Sequence, residues 1–131
     1  MPGAVEEILR APGKGGGGIP RYARTDLEVG KVTVPAGSLL MLDNGAANHD
    51  AAAFDDPDRF DIVRPGAASH LTFGHGARYC IGAPLARMEL HVAFDQLIRR
   101  FPDMRLAVDT DDLAVRQDIL TGGLVTLPVV W

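Results

Sequence analysis

The stretch from Ala83 to Phe101 constrains this chain more than any other. Ile81, Leu85, Met88 and Val92 form one apolar row at helical spacing, and Leu90, Phe94, Leu97, Ile98 and Phe101 form another. Two rows predict a central helix buried on more than one side. Pro102 closes it. Elsewhere 15 glycines and 9 prolines cut the 131-residue chain into short pieces.

Those pieces read as follows. Pro2 to Arg10 is a short helix with Val5, Ile8 and Leu9 on one side. Ala11 to Gly18 is too rich in glycine and proline for regular structure. Read alone, that run is a linker. Ile19 to Ala23 is a strand. Asp26–Val29 and Val32–Val34 straddle a Gly30-Lys31 hairpin turn, and Leu39–Leu42 is an apolar run. Asp43 to Asp50 is a short helix, and Ala53 to Ser69 is an ordered but aperiodic meander. After the long helix comes a strand-like tail, with a turn at Gly122-Gly123 and a returning strand from Leu124 to Trp131. The order predicts an α+β fold with small antiparallel sheets. It also looks incomplete, because the chain opens inside a patterned helix and its hairpins are too short for an independent sheet.

Composition removes several function classes. A net charge of -4 gives no global footprint for nucleic acid or an anionic membrane. No apolar run approaches a transmembrane length. Met1 to Arg10 lacks the order of a signal peptide, and no period of 20 to 50 residues repeats. A single cysteine excludes an internal disulfide and makes a reducing cytoplasm the default compartment.

That cysteine, Cys80, is surrounded by Gly74, Gly76 and Gly82. Glycines at this density let backbone N–H groups approach a ligand or turn toward a sulfur. The position just before the long helix favours a thiolate through the helix dipole. Phe73 offers a flat apolar wall, and Arg78 reaches an anionic group near the sulfur. The bland alternative is a small buried hydrophobe. A structural zinc site is disfavoured, because Cys80 has no CxxC partner and His75 and His91 are wrongly spaced. A nucleophilic thiol with a distant histidine stays open.

The segment Phe73-Gly74-His75-Gly76-Ala77-Arg78-Tyr79-Cys80-Ile81-Gly82 resembles the haem-binding loop of the cytochromes P-450, the haem-thiolate monooxygenases. Ala83-Pro84-Leu85-Ala86-Arg87-Met88-Glu89 resembles the start of that family's proximal helix, and Leu127 to Trp131 resembles the ending of many bacterial members. Upstream, Glu7-Ile8-Leu9-Arg10 fits the Glu-x-x-Arg motif, which taken alone is a surface pair. Phe54 to Phe60 resembles the meander, and Ala46 to Asp50 resembles a segment that usually carries arginine where this chain has His49.

The resemblance implies a set of roles. Cys80 is the axial ligand of haem b, with Phe73, Gly74, Gly76, Arg78, Arg21 and Gly82 around the cofactor. Arg21 and Arg78 serve the propionates. Glu7, Arg10 and Arg59 form a buried charge cluster tying the first helix to the meander. Gly17, Gly18, Ile19, Ile119 and Leu120 are candidates to line a substrate, which turns the glycine run from linker into a place of close approach. Arg87 lies on the face where a ferredoxin-type redox partner docks.

The fold implied is the C-terminal part of the cytochrome P-450 fold over residues 1–131: truncated Glu-x-x-Arg helix, short hairpins, meander, cysteine loop, proximal helix and a C-terminal β-hairpin. The family's N-terminal part, with its oxygen-protonating distal helix and most of the substrate roof, is expected to be absent. The expected activity is monooxygenation of a small organic substrate. The isolated chain is expected to be inactive, to hold haem weakly and to self-associate. Two alternatives stand beside this: a haem-free remnant acting as an interaction domain, and a thiol enzyme using Cys80.

Overall fold

The computed structural model describes residues 2–12, 18–116 and 123–131. Helix α1 spans Pro2–Arg10, and four strands follow: β1 Ile19–Tyr22, β2 Leu27–Val29, β3 Val32–Val34 and β4 Leu39–Leu42. Helix α2 covers Asn44–Asn48, and α3 covers Ala83–Arg100. Strands β5 Arg105–Leu106 and β6 Val129–Val130 close the fold, and 3₁₀ turns lie at Ala67–Ser69, Gly76–Arg78 and Thr110–Asp112.

The strands form three separate antiparallel pairs. β2 and β3 make a tight hairpin, with Leu27 opposite Val34. That hairpin is nested inside a wider one, in which β1 runs against β4 with Ile19 opposite Leu42. The nesting brings Arg21 and Ile19 beside the residues that lead into α2. The Asp43 side chain caps α2 by accepting from the Ala46 N–H at 2.9 Å.

The returning strand expected over Leu124–Trp131 is broken in two. Leu124 bridges Val115, and only Val129 and Val130 pair with β5. Pro128 sits between the two pairings and lacks an N–H, although its carbonyl accepts from Ala107 N–H at 3.0 Å. Trp131 ends the chain against the Phe101 ring, 5.5 Å between centroids.

The expectation of a central, enveloped α3 also fails. Its periodicity is real, but only Ala83 is buried, while Ile81 is 100% exposed, Met88 58% and Val92 59%. Periodicity states which face a helix must cover. It does not state that this chain supplies the cover. The chain exposes 9851 Å², against about 6,700 Å² for a self-contained protein of its mass.

Among the described residues the buried set is half polar. Val5, Ala23, Phe54, Ala67 and Ala83 are joined by Glu7, Arg10, Asn48, Arg64 and His70. A core this small cannot rest on apolar burial alone. It is organised by two ion clusters that radiate from α1, Glu7 with Arg10 and Arg64, and Glu6 with His70 and Arg87.

Candidate haem-ligating site

The loop before α3 is shaped by its glycines. Gly74 and Gly76 adopt φ +74° and +72°, a region that costs other residues about 1–2 kcal/mol. The path then reverses, so that Cys80 N–H donates to the Phe73 carbonyl at 2.9 Å. Tyr79 N–H closes the intervening 3₁₀ turn on Gly76 O at 3.0 Å, and Cys80 O receives the Ala83 N–H that begins α3.

The result is an exposed thiol, not the small buried hydrophobe that composition alone would favour. It opens on a cleft of ≈ 470 Å³. Cys80, Phe73, Gly74 and Arg78 line it from the loop, and Ile19 and Arg21 from β1. These six were all singled out from sequence. Leu42, Asn44, Leu71, Thr72 and His75 line it too, and sequence reasoning missed them as lining residues. His75 lay inside the recognised loop; Leu42 and Asn44 come only from the β1–β4 pairing.

Gly76 and Gly82 are not part of the lining. Gly76 makes the turn, and Gly82 flanks the sulfur, where an added Cβ would stand 3.7 Å from Cys80 Sγ. Gly18 packs against β4, where an added Cβ would stand 2.8 Å from Leu42 O. Gly17, Ile119 and Leu120 lie outside the described residues.

Arg21 and Arg78 are exposed cations without an ion pair to any described carboxylate; Arg21 donates only to the adjacent Pro20 carbonyl, at 2.9 Å. The donor chemistry therefore has three parts: one soft sulfur, apolar walls, and two guanidinium groups. Among the described residues no cluster of three or more His, Cys, Asp or Glu could hold a bare metal ion. A single thiolate suits a metal that brings its other ligands in a flat, apolar, carboxylate-bearing macrocycle, as haem iron does. The residues present fit that group.

Behind the loop, Glu7 is fully buried. Arg10 grips it with a fork, Nε to Oε2 at 2.7 Å and Nη2 to Oε1 at 2.8 Å. The second cation is Arg64, whose Nε donates to both carboxylate oxygens at 3.2 Å. Asp61 N–H adds a bond at 2.9 Å. Arg10 chiefly, with Asp61 N–H and Arg64, holds the Glu7 carboxyl down at about 2 against the cost of burial.

Arg59 was the expected second cation and does not fill that place. Its side chain points outward to Asp56 and Asp61, and only its carbonyl enters the cluster, accepting from Arg10 and Arg64. Both arginines lie in the aperiodic meander, where no pattern tells inside from outside.

The Arg87 guanidinium is forked onto Glu6 at 2.7 and 3.0 Å and lies over the Phe73 ring.

The family model described as cytochrome P-450 matches residues 1–126. The chain belongs to the cytochrome P-450 family. It is 48% identical over 130 residues to the cytochrome P-450 BJ-1 homolog of Sinorhizobium fredii, covering 98% of this chain and 32% of that protein. Pentalenolactone synthase of Streptomyces exfoliatus is 46% identical over 133 residues, with 99% and 33% covered. The crystal structure of the LnmA cytochrome P-450 hydroxylase of Streptomyces atroolivaceus superposes with a TM-score of 0.90 at 48% identity, over 99% of this chain and 34% of that one. The chain thus spans about a third of the length of the P-450 relatives it matches. Its α+β architecture is a partial P-450 fold. No helix among the described residues is long and apolar enough to cross a membrane.

Proposed function

We propose that residues 1–131 are the haem-ligating segment of a bacterial-type P-450 monooxygenase, with Cys80 as axial ligand. One observation carries the reading: the only cysteine of the chain opens on a cleft that also holds an apolar wall and two guanidinium groups without an ion pair to any described carboxylate. Haem held there by the Cys80 sulfur would supply the oxygen-activating chemistry. The rest is work for this chain. Phe73 would pack against the macrocycle and Arg21 and Arg78 would neutralise its carboxylates, while the positive-φ Gly74 and Gly76 turn the loop and Gly82 keeps a side chain away from the sulfur. Gly18 and Ile19, with Gly17, Ile119 and Leu120, are the proposed substrate-side residues.

The whole activity is hydroxylation of a small organic molecule in the cytoplasm, fed by a ferredoxin-type partner. Relatives named as a hydroxylase and as pentalenolactone synthase support that class. The exposed α3 rows support a supplementary role for the rest of a P-450 chain, which would cover them. Without that cover the isolated segment holds haem weakly, self-associates and does not hydroxylate. The same exposed surface favours a second reading, a haem-free association domain of this lineage. A visible spectrum separates the two. With haem added, the reduced CO complex of the chain shows the red-shifted Soret band of thiolate ligation, and Cys80→Ser abolishes it. A spectrum indifferent to that substitution removes the ligand assignment.

A further inference from the structure

Adjacent glutamates on α1 serve different clusters. Glu7 turns toward Arg10 and Arg64. Glu6, one residue and a quarter-turn away, turns toward α3 and the cysteine loop. We propose that the Glu6–Arg87 ion pair is a positioning clamp for Cys80, acting through the aromatic residues at the two ends of its loop. The proposal deepens the ligand reading and rests on it for its purpose, but not for its geometry.

Arg87 lies one turn into α3, and each nitrogen of its guanidinium donates one hydrogen bond. Nε donates to Glu6 Oε1 at 2.7 Å and Nη2 to Glu6 Oε2 at 3.0 Å. That fork fixes the plane of the group. With the plane fixed, one face covers the Phe73 ring, 4.8 Å from its centroid. The remaining Nη1 donates to the Tyr79 hydroxyl at 2.9 Å. Phe73 and Tyr79 also meet edge to face, 6.4 Å apart at 71°.

These two residues bracket the segment that matters. Phe73 O receives the Cys80 N–H, and Tyr79 immediately precedes the sulfur. Between them lie Gly74 and Gly76, which have the most conformational freedom to lose. A loop of that composition does not hold one shape unaided. Glu6 also holds the segment entering it. Its Oε2 lies 3.1 Å from His70 Nε2, and Nδ1 of that buried ring accepts from Thr72 N–H at 3.2 Å. This assigns the neutral tautomer with hydrogen on Nε2.

A lysine at position 87 keeps the charge but loses the fork, the flat face and the Tyr79 bond together. The test is residue-resolved amide exchange on the haem-free 131-residue chain. In Arg87→Lys, Cys80 N–H is expected to exchange about tenfold faster, while the Ala23 and Gly37 N–H groups, bonded across the β1–β4 hairpin, hold their rates. Tyr79→Phe, which removes one bond and no charge, is expected to give a smaller rise of about threefold at the same amide. It keeps the proposal testable if the lysine variant does not fold. An unchanged Cys80 rate in both variants overturns the clamp. So does a uniform rise at every amide, which marks Arg87 as a general stabiliser. The readout needs no haem, so it stands apart from the Cys80→Ser spectrum: failure there removes the ligand and leaves the clamp, and failure here does the reverse.

Discussion

Replacing Arg64 by methionine tests the architecture more sharply than any change at the sulfur. The methionine fills much of the volume and donates nothing. Arg64 is 8% exposed. Its Nε binds both Glu7 oxygens at 3.2 Å. Its Nη1 donates to Asp55 O, and its Nη2 to Asp56 O at 3.0 Å and Arg59 O at 2.6 Å. Without it Glu7 keeps the Arg10 fork and the Asp61 N–H, but three meander carbonyls lose a donor. Breaking a buried ion pair by removing one partner costs about 3–5 kcal/mol, out of a whole-domain stability of about 5–15 kcal/mol. Arg59→Met is the control. That side chain is 63% exposed in its pairs with Asp56 and Asp61, and such surface pairs contribute about 0–1 kcal/mol. Urea unfolding of both variants, followed by circular dichroism, should separate them by at least about 2 kcal/mol. If Arg64→Met does not fold, Arg64→Lys, which keeps the charge and loses the fork, takes its place in the comparison. Equal midpoints, or a larger loss from Arg59→Met, would refute the assignment of Arg64 as the second cation.

The same cluster sets an acid limit. The Glu7 carboxyl sits at about 2 against an ordinary 4.5. The unfolded chain therefore takes up the proton first, and this stabilisation, about 3 kcal/mol, is complete above pH 4.5 and is lost as pH falls toward 2. Glu7→Gln should flatten that limb of the stability curve; part of it remains, because Arg87 and His70 hold Glu6 low as well. His70 acts in a higher window. Burial lowers its pKa, so its contribution is lost as pH falls through the ordinary 6.5, and a shallow loss that sets in below about pH 6.5 should disappear in a His70→Gln chain. Gly76→Ala, at φ +72° with open space around the new methyl, should cost about 1–2 kcal/mol in thermal unfolding from backbone strain alone. Sedimentation velocity should show self-association of the isolated chain, and Met88→Glu with Val92→Glu should shift it toward monomer; a wild-type chain monomeric at high concentration would remove the argument from exposed surface.

Features fixed within a few residues were legible in the sequence. The α3 limits follow from apolar spacing and Pro102, the β2–β3 hairpin from Gly30-Lys31 between β-branched runs, and the cysteine loop from its glycines. The loop also carried the site, because Phe73, Gly74, Arg78 and Cys80 sit within one turn of chain and all line the cleft. Asn48 shows where local reading stops. Its side chain receives Leu71 N–H and donates to Thr72 Oγ1, and its carbonyl receives Arg10, so one buried amide joins α1, α2 and the loop. Nothing in an Ala-Ala-Asn-His-Asp segment announces that.

The sequence by itself determined the elements up to Pro102, the thiol loop and the Glu7–Arg10 pair, because each is set by backbone geometry or by side chains three or four residues apart on one helix. Tertiary structure alone decided that Arg64 and not Arg59 completes the buried cluster, that Arg87 pairs with Glu6, and that the apolar row of Ile81, Leu85, Met88 and Val92 lies open. Those outcomes depend on the path of the chain across more than fifty residues. An arginine five positions along an aperiodic meander has the same chemistry as its neighbour, and only the folded path puts one guanidinium within reach of a buried carboxylate and the other in water.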